Sequence, residues 1–332
     1  MALDEFDYPL SKELIAQEPA KRREESRLMV LHKNNVIEHL TFKDIINFLS
    51  PGDVLVLNET KVLRAKLVGR KETGGKVELI VEEKLDDFLC KCRIKATKPK
   101  IGNLLIFDNV KGKIVDKKED VFFVRFSGDV DKLLEEKAIL PTPPYIKKPI
   151  EDYSRYQTVF AKKEGSLAAP TAALHFSRDL LEKITRKGVS IAKICLHISF
   201  GTFLKVREEQ IKRKKLHNEY FEISREAAEI INRRKGRLFA VGTTVVRALE
   251  SAADKQGKIK AVKKSTELFI MPGYEFKSGI DALITNFHLP KSSLLMLVCA
   301  FAGKERIMRA YREAIKRRYR FFSFGDAMLI FR

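Results

Sequence analysis

Four stretches of this chain carry residue types that can do chemistry rather than only pack. The first runs Arg237-Leu238-Phe239-Ala240-Val241-Gly242-Thr243-Thr244-Val245-Val246-Arg247-Ala248-Leu249-Glu250. It opens with an apolar run too short for a helix, turns at Gly-Thr-Thr, and continues with Val245, Val246 and Leu249 at helical spacing. Strand, tight turn and helix make the unit of parallel sheets, whose ligands sit where strands end. Gly242 lets backbone approach a ligand closely, and Thr243 or Thr244 can cap the helix and leave its first amides facing outward. Arg247, one turn in, can point back over the same spot. The chemistry on offer is anion binding; an ordinary capped helix is the competing reading. The second stretch, Ser166 to Phe176, is a small-residue loop against which a flat ligand can lie, and its His175 either titrates near neutral pH or packs as a core histidine. The third, Thr285-Asn286-Phe287-His288-Leu289-Pro290, again sets polar groups at a strand end, before a helix opened by Ser292 or Ser293. In the fourth, Tyr319 to Ala327, aromatic and basic residues interleave as on single-strand nucleic-acid surfaces.

The elements that must position these stretches read as α/β. Arg27–Leu31, Asp53–Leu57, Ser190–Ile198, Glu267–Met271 and Ala282–Thr285 are expected strands. Helices are expected at 41–49 behind Thr41, from Ser177 to Lys187, from Ser224 to Lys235, and through the apolar and then basic segment 292–320. Asn58-Glu59-Thr60-Lys61 again places polar groups at a strand end. From Val62 to Ser127 the texture changes to six short strand-like runs: 62–68, 76–82, 88–96, 103–107, 111–117 and 121–126. Within them Phe88, Cys90, Cys92 and Ile94 share one face, and Lys91, Arg93 and Lys95 the other. Short strands at this spacing suggest a small barrel. The chain is therefore expected to be a three-layer α/β/α core of residues 1–61 and 141–332, with a six-stranded β-barrel of residues 62–140 inserted. The segment from Gly69 to Val77 imitates a phosphate-binding P-loop but is one residue too long, has Val77 after Lys76, and leads to a strand; Gly74-Gly75 is a hairpin turn instead.

Composition narrows the partners. Sixty-four Lys and Arg against 44 Asp and Glu leave a net charge of +20 on 332 residues, which points to a polyanion. Neither a basic amphipathic N-terminal helix nor a lipidation motif is present, so nucleic acid is preferred to membrane. The basic stretch from Lys205 to His217 reads as an irregular loop past a strand end, within reach of such a polyanion. No apolar run approaches membrane-spanning length, and the start is acidic where a signal peptide would be basic; a cytoplasmic monomer is expected. Cys90, Cys92, Cys195 and Cys299 lie in apolar patterns and read as packed free thiols.

Together, Ala168-Ala169-Pro170-Thr171, Val241-Gly242-Thr243-Thr244 with Arg247, Thr285 to Pro290, and Tyr319-Arg320-Phe321-Phe322 with Gly325-Asp326-Ala327 resemble the S-adenosylmethionine:tRNA ribosyltransferase-isomerases of queuosine biosynthesis. Asn58 to Val62 and Gly69-Arg70-Lys71 add to a resemblance that covers the whole chain in order. Ala173 replaces a glycine of that pattern, and Ser199-Phe200 replaces Gly-Ala. The resemblance implies that S-adenosylmethionine is consumed as a ribosyl donor, a co-substrate and not a cofactor, and that tRNA is the acceptor. The ribosyl unit would pass to the aminomethyl group of a wobble 7-deazaguanine and rearrange, releasing adenine and methionine. Protons beside a sulfonium are acidic and adenine leaves more readily when protonated, so His175, His288 and Asp326 become acid/base candidates. Arg247 and the amides near Thr243 and Thr244 suit the methionine carboxylate or a tRNA phosphate. Substrate binding is carried over also to Thr171, Gly242, Asn286, Asn58 and Arg320. No metal site is expected. Two other classes compete: a non-catalytic RNA-binding protein, and a conventional methyltransferase, which lacks its glycine-rich first turn here.

Overall fold

The computed structural model describes residues 3–203 and 206–332. Its chain forms two compact units, Met1–Lys61 with Pro143–Arg332, and Val62–Thr142. After three short 3-10 turns, the larger unit forms an antiparallel pair, β1 (Arg27–Leu31) and β2 (Ile37–Thr41). The helix expected after Thr41 is a 3-10 helix, Phe42–Phe48, with Thr41 and Asp44 capping each other. Phe42, Ile45 and Phe48 fall three apart, and the tighter winding aligns them on the side that turns inward. All five residues of β3 (Val54–Asn58) are buried, as suits a strand flanked on both edges by parallel neighbours. A short β4 (Thr60–Val62) follows.

The smaller unit is a closed barrel of β5 (Lys66–Lys71), β6 (Lys76–Lys84), β7 (Leu89–Lys95), β8 (Leu104–Phe107), β9 (Val110–Lys118) and β10 (Val121–Phe126), in the order β10-β7-β6-β5-β8-β9. Its first strand starts at Lys66, because Val62 belongs to β4. Cys90 and Cys92 face the interior as free thiols, but Phe88 lies before β7 and is 45% exposed, so it does not share their face. Gly74 (φ +91°) makes the β5–β6 turn, its amide bonded to the Lys71 carbonyl. Asp129 caps the closing helix α1 (Val130–Lys137).

Back in the larger unit, β11 (Lys163–Ser166) pairs with β4. Ser177 caps α2 (Arg178–Arg186), which ends before Gly188 (φ +88°). Next come β12 (Ser190–Leu196), α3 (Glu208–Arg213), β13 (Lys215–Ile223), α4 (Arg225–Asn232), β14 (Leu238–Val241) and α5 (Thr243–Ala252). Then follow β15 (Val262–Leu268), β16 (Ala282–Asn286), α6 (Ser293–Ala302), α7 (Lys304–Lys316) and β17 (Ala327–Phe331). The nine-stranded sheet has the order β15-β13-β12-β3-β14-β16-β17-β1-β2. Its centre, β12, β3, β14 and β16, is parallel; β17 is antiparallel to β16 and parallel to β1. Alternate residues feed two cores. Val54 and Val56 pack with the α4–α7 side, Leu55 and Leu57 with α2 and the 3-10 helix, which makes three layers.

Three sequence expectations give way here. The basic stretch before His217 holds α3 and the start of β13, with Lys205 outside the described residues; buried Glu219 interrupts the apolar alternation that would have revealed β13. The strand expected at Glu267–Met271 lies earlier, at Val262–Leu268, where exposed Lys263 and Lys264 hide a one-sided strand. The aromatic residues Tyr319, Phe321, Phe322 and Phe324 are at most 4% exposed, so they form core and not a nucleic-acid surface. Hydrophobic burial beats base stacking as the fate of such a run when the flanking helix and strand close over it.

Candidate active site

Four segments of the larger unit, three of them at strand ends, meet around one solvent-open cavity. β14 ends at Val241, and Gly242 takes φ +91°, ψ 152°, a conformation open essentially to glycine alone. α5 then starts at Thr243 with no side chain capping it, contrary to the expected threonine cap. Gly242 itself holds the N-cap position and has no side chain to offer, while Thr243 and Thr244 already lie within the helix and line the cavity. The small-residue loop supplies Ala168 to Ala172, including Thr171; a methyl group on Gly242 would lie 3.7 Å from the Ala172 Cβ. β16 contributes Thr285 and Asn286 and leads into His288, and the turn after α7 contributes Phe322 and Ser323. Of the sequence candidates, Thr171, Gly242, Thr243, Thr244, Asn286 and His288 come together here.

His288 is 8% exposed and lines the cavity. Its Nε2 pairs with the Thr285 hydroxyl at 2.8 Å. Its backbone is clamped on both sides: the amide donates to the Tyr311 oxygen at 2.9 Å, and the carbonyl accepts from the Tyr8 hydroxyl. Burial depresses its pKa to about 3, so the ring is neutral at physiological pH. Among the described residues, nothing bonds its Nδ1.

His175 is built differently. Its Nδ1 lies 2.6 Å from the Ser26 hydroxyl and its Nε2 3.2 Å from Asn286 Oδ1, with the Phe42 ring centred 4.9 Å away. The Asn286 amide orientation is fixed by its Nδ2 donating to the Phe322 carbonyl at 2.9 Å. Oδ1 therefore faces the imidazole and accepts from Nε2–H, which leaves Nδ1 to accept from Ser26. Burial, the hydrogen bond to Asn286 opposing it, holds the pKa near 4, with Arg320 and Arg23 pushing the same way as burial. Titration near neutral pH is thus ruled out. Both nitrogens are spoken for, and the ring does not line the cavity; it orients Asn286, which does.

The remaining candidates lie elsewhere. Asp326, 1% exposed, is held by two backbone amides and one guanidinium: Oδ1 accepts from Arg27 N at 3.0 Å and Oδ2 from Arg320 N at 2.8 Å, and Arg320 Nε lies 3.6 Å from Oδ1. It staples the 320–326 turn to β1 and has no face on the cavity. Arg320 reaches the Glu18 carbonyl at 3.2 Å and borders a separate hollow beside His175. Asn58 is buried between strands, bonded to both the amide and the carbonyl of Leu196, and touches the site only through Thr244 Oγ1 at 3.4 Å. Arg247 does not reach back over the turn. Its Nε donates to the Leu268 carbonyl at 3.0 Å and its Nη1 pairs with Glu219, drawing it toward β13 and β15. Sequence reasoning missed Tyr145 and Ser323, whose hydroxyls meet at 2.7 Å on the cavity wall. A tyrosine closing a proline-rich connector carries no signal of that fold-back; burial pushes its phenol well above the ordinary range, so it stays protonated.

Known proteins resemble this chain over nearly its whole length. A family model described as queuosine biosynthesis protein matches residues 3–330. The S-adenosylmethionine:tRNA ribosyltransferase-isomerase of Desulforamulus reducens is 50% identical over 342 residues, spanning 99% of this chain and 100% of the relative. That of Halothermothrix orenii is 50% identical over 346 residues, with the same coverage. The crystal structure of an S-adenosylmethionine tRNA ribosyltransferase from Thermotoga maritima covers 98% of this chain and 99% of its own at 39% identity, with a TM-score of 0.55. With a matching family model over nearly its whole length and full-length relatives at half identity, the chain belongs to the queuosine biosynthesis protein family.

Proposed function

We propose that this protein is an enzyme that transfers the ribosyl unit of S-adenosylmethionine to the aminomethyl group of a 7-deazaguanine at the wobble position of tRNA. It isomerises that unit to the epoxycyclopentane of epoxyqueuosine and releases adenine and methionine. The observation that carries the reading is the convergence of three strand-end segments and the turn after α7 on one cavity beside a buried, neutral histidine. A flat heterocycle fits between the alanine loop and the Gly242 turn, and the Thr285, Asn286 and Ser323 polar groups supply orientation. His288 is the group placed to handle protons. With Nε2–H donated to Thr285, its Nδ1 lone pair accepts the proton lost beside the sulfonium; in the other tautomer Nδ1–H donates to a nitrogen of the departing adenine. A pKa near 3 makes the ring a weak base, which favours the hydrogen-bond donor role. His175 is a positioning residue acting through Asn286, and Asp326 is a backbone staple. S-adenosylmethionine is the co-substrate and no further cofactor is invoked. Among the described residues no helix is long and apolar enough to cross a membrane. We take the protein to work as a cytoplasmic monomer, which light scattering of the purified protein tests.

Product analysis tests the function. The protein is incubated with S-adenosylmethionine and a tRNA carrying the aminomethyl base. Adenine and methionine in equal amounts support ribosyl transfer. S-adenosylhomocysteine would mean methylation, and binding without turnover would mean an RNA-binding protein.

A further inference from the structure

A second cavity adjoins the first and shares Thr202 and Leu294 with it. The opening of α6 divides them, Ser292 on the first and Ser293 on the second. Glu219 and Arg247 line the second cavity as an ion pair whose side chains are only 2% and 7% exposed. A buried pair of this kind is seldom retained for stability, since apolar residues of similar volume usually serve as well. This one is also incomplete. Arg247 uses Nε on Leu268 and Nη1 on Glu219, but its buried Nη2 has no acceptor among the described residues. Glu219 accepts from Ser199 N at 2.8 Å, from Thr202 Oγ1 at 3.2 Å and from Arg247. Of the roughly four acceptor positions of a carboxylate, one is left.

We infer that this cavity receives the amino-acid end of S-adenosylmethionine, its carboxylate on Arg247 Nη2 and its ammonium at Glu219, while the nucleoside end occupies the cavity beside Asn286. The inference rests on the donor reading given above. An unused guanidinium edge next to an unused carboxylate position is complementary to a zwitterion. An RNA phosphate would satisfy the arginine but be repelled by Glu219 at the same distance, and it brings no cation to offset that repulsion. Of the two anions that suit Arg247, the carboxylate is therefore the one the site accepts. The shared wall sets the two ends of one ligand on either side of the first turn of α6.

Calorimetric titration with S-adenosylmethionine and with its decarboxylated analogue, which keeps the sulfonium and the ammonium, tests the inference. The wild-type protein should bind the decarboxylated form at least about 10-fold more weakly, the loss expected of one charge-assisted hydrogen bond. The double variant Arg247→Gln with Glu219→Gln removes both charges together, so that neither is left buried alone, and it should bind the two forms equally. Equal binding by the wild-type protein overturns the inference while leaving the donor reading intact, and needs no variant. A folded double variant that still discriminates as the wild type does overturns it as well. A wild-type protein that binds neither form ends the donor reading, and this inference with it.

Discussion

Acid should destabilise this protein through His175, by an amount the burial of the ring sets. In the unfolded chain that imidazole takes up a proton near pH 6.5. In the fold its pKa is depressed to about 4, with Phe42 against its face and both nitrogens bonded in the neutral form. Between those values unfolding binds a proton, so stability falls as pH falls. Above pH 6.5 both states are neutral and the ring contributes no slope; below about 4 both are charged and the loss levels off. Within the window each unit of pH costs about 1.4 kcal/mol, so moving from pH 7.5 to 5.0 costs about 2 kcal/mol through this one residue. His288, depressed to about 3, adds a parallel slope, and surface carboxylates add others, so the ring must be isolated by difference. Urea unfolding of the wild-type protein and His175→Gln at both pH values does this. At pH 7.5 the variant should be less stable by about 1–3 kcal/mol, because Ser26 and Asn286 lose a partner. At pH 5.0 that deficit should shrink by about 2 kcal/mol, since the variant no longer resists a proton. Parallel losses in the two proteins would refute the reasoning, for they would mean that His175 titrates as an exposed histidine does.

Other outcomes follow from the same geometry. His288→Ala should lower turnover by about 10²–10⁴-fold at saturating donor, measured as adenine release, with a smaller effect on donor affinity. Gly242→Ala should cost about 1–3 kcal/mol of stability from the φ of +91° alone, seen as a lower urea midpoint; an unchanged midpoint would show that the turn relaxes. Asp326→Ala should cost about 2–4 kcal/mol by orphaning the Arg27 and Arg320 amides, and reduce turnover only in proportion to the folded fraction. With six or more phosphates contacted, raising salt from 50 to 200 mM should weaken tRNA binding by about 1,000-fold or more; a flat salt response in a filter-binding assay contradicts the electrostatic footing.

Local need is what the residues announce. Gly242 is legible because only glycine takes that turn, and the alanine loop because bulk there would close the cavity. The β3, β14 and β16 runs are legible because strands buried on both faces must be continuously apolar. What stays hidden depends on residues distant in sequence. Arg247 looks like a ligand-facing arginine until β13 brings Glu219 beside it, and β13 itself is masked by that same buried acid. Asp326 has the composition of an acid/base group, yet two backbone amides claim it once β1 lies alongside. The Tyr319–Phe324 run has the texture of an RNA platform, and whether it faces water or core is decided by how α7 and β17 close over it. His175 and His288 are equally lone histidines in sequence; only Ser26 and Asn286, far apart along the chain, tell the positioning ring from the one on the cavity.

The strand order has a consequence for how such a molecule is made. β17 is inserted between β16 and β1, with Leu28 beside Ala327, so the β1–β2 hairpin cannot join the sheet until residue 331 has been synthesised. During translation the β1 edge, apolar at Leu28, Met29, Val30 and Leu31, waits unpaired while nearly the whole chain emerges. Pairings of such high sequence separation are slow to form and exposed to aggregation. Truncation or an awkward fusion near Phe331 should therefore strip β1 and β2 from the sheet along with β17, and with them Ser26, the hydroxyl that holds His175 in register with Asn286.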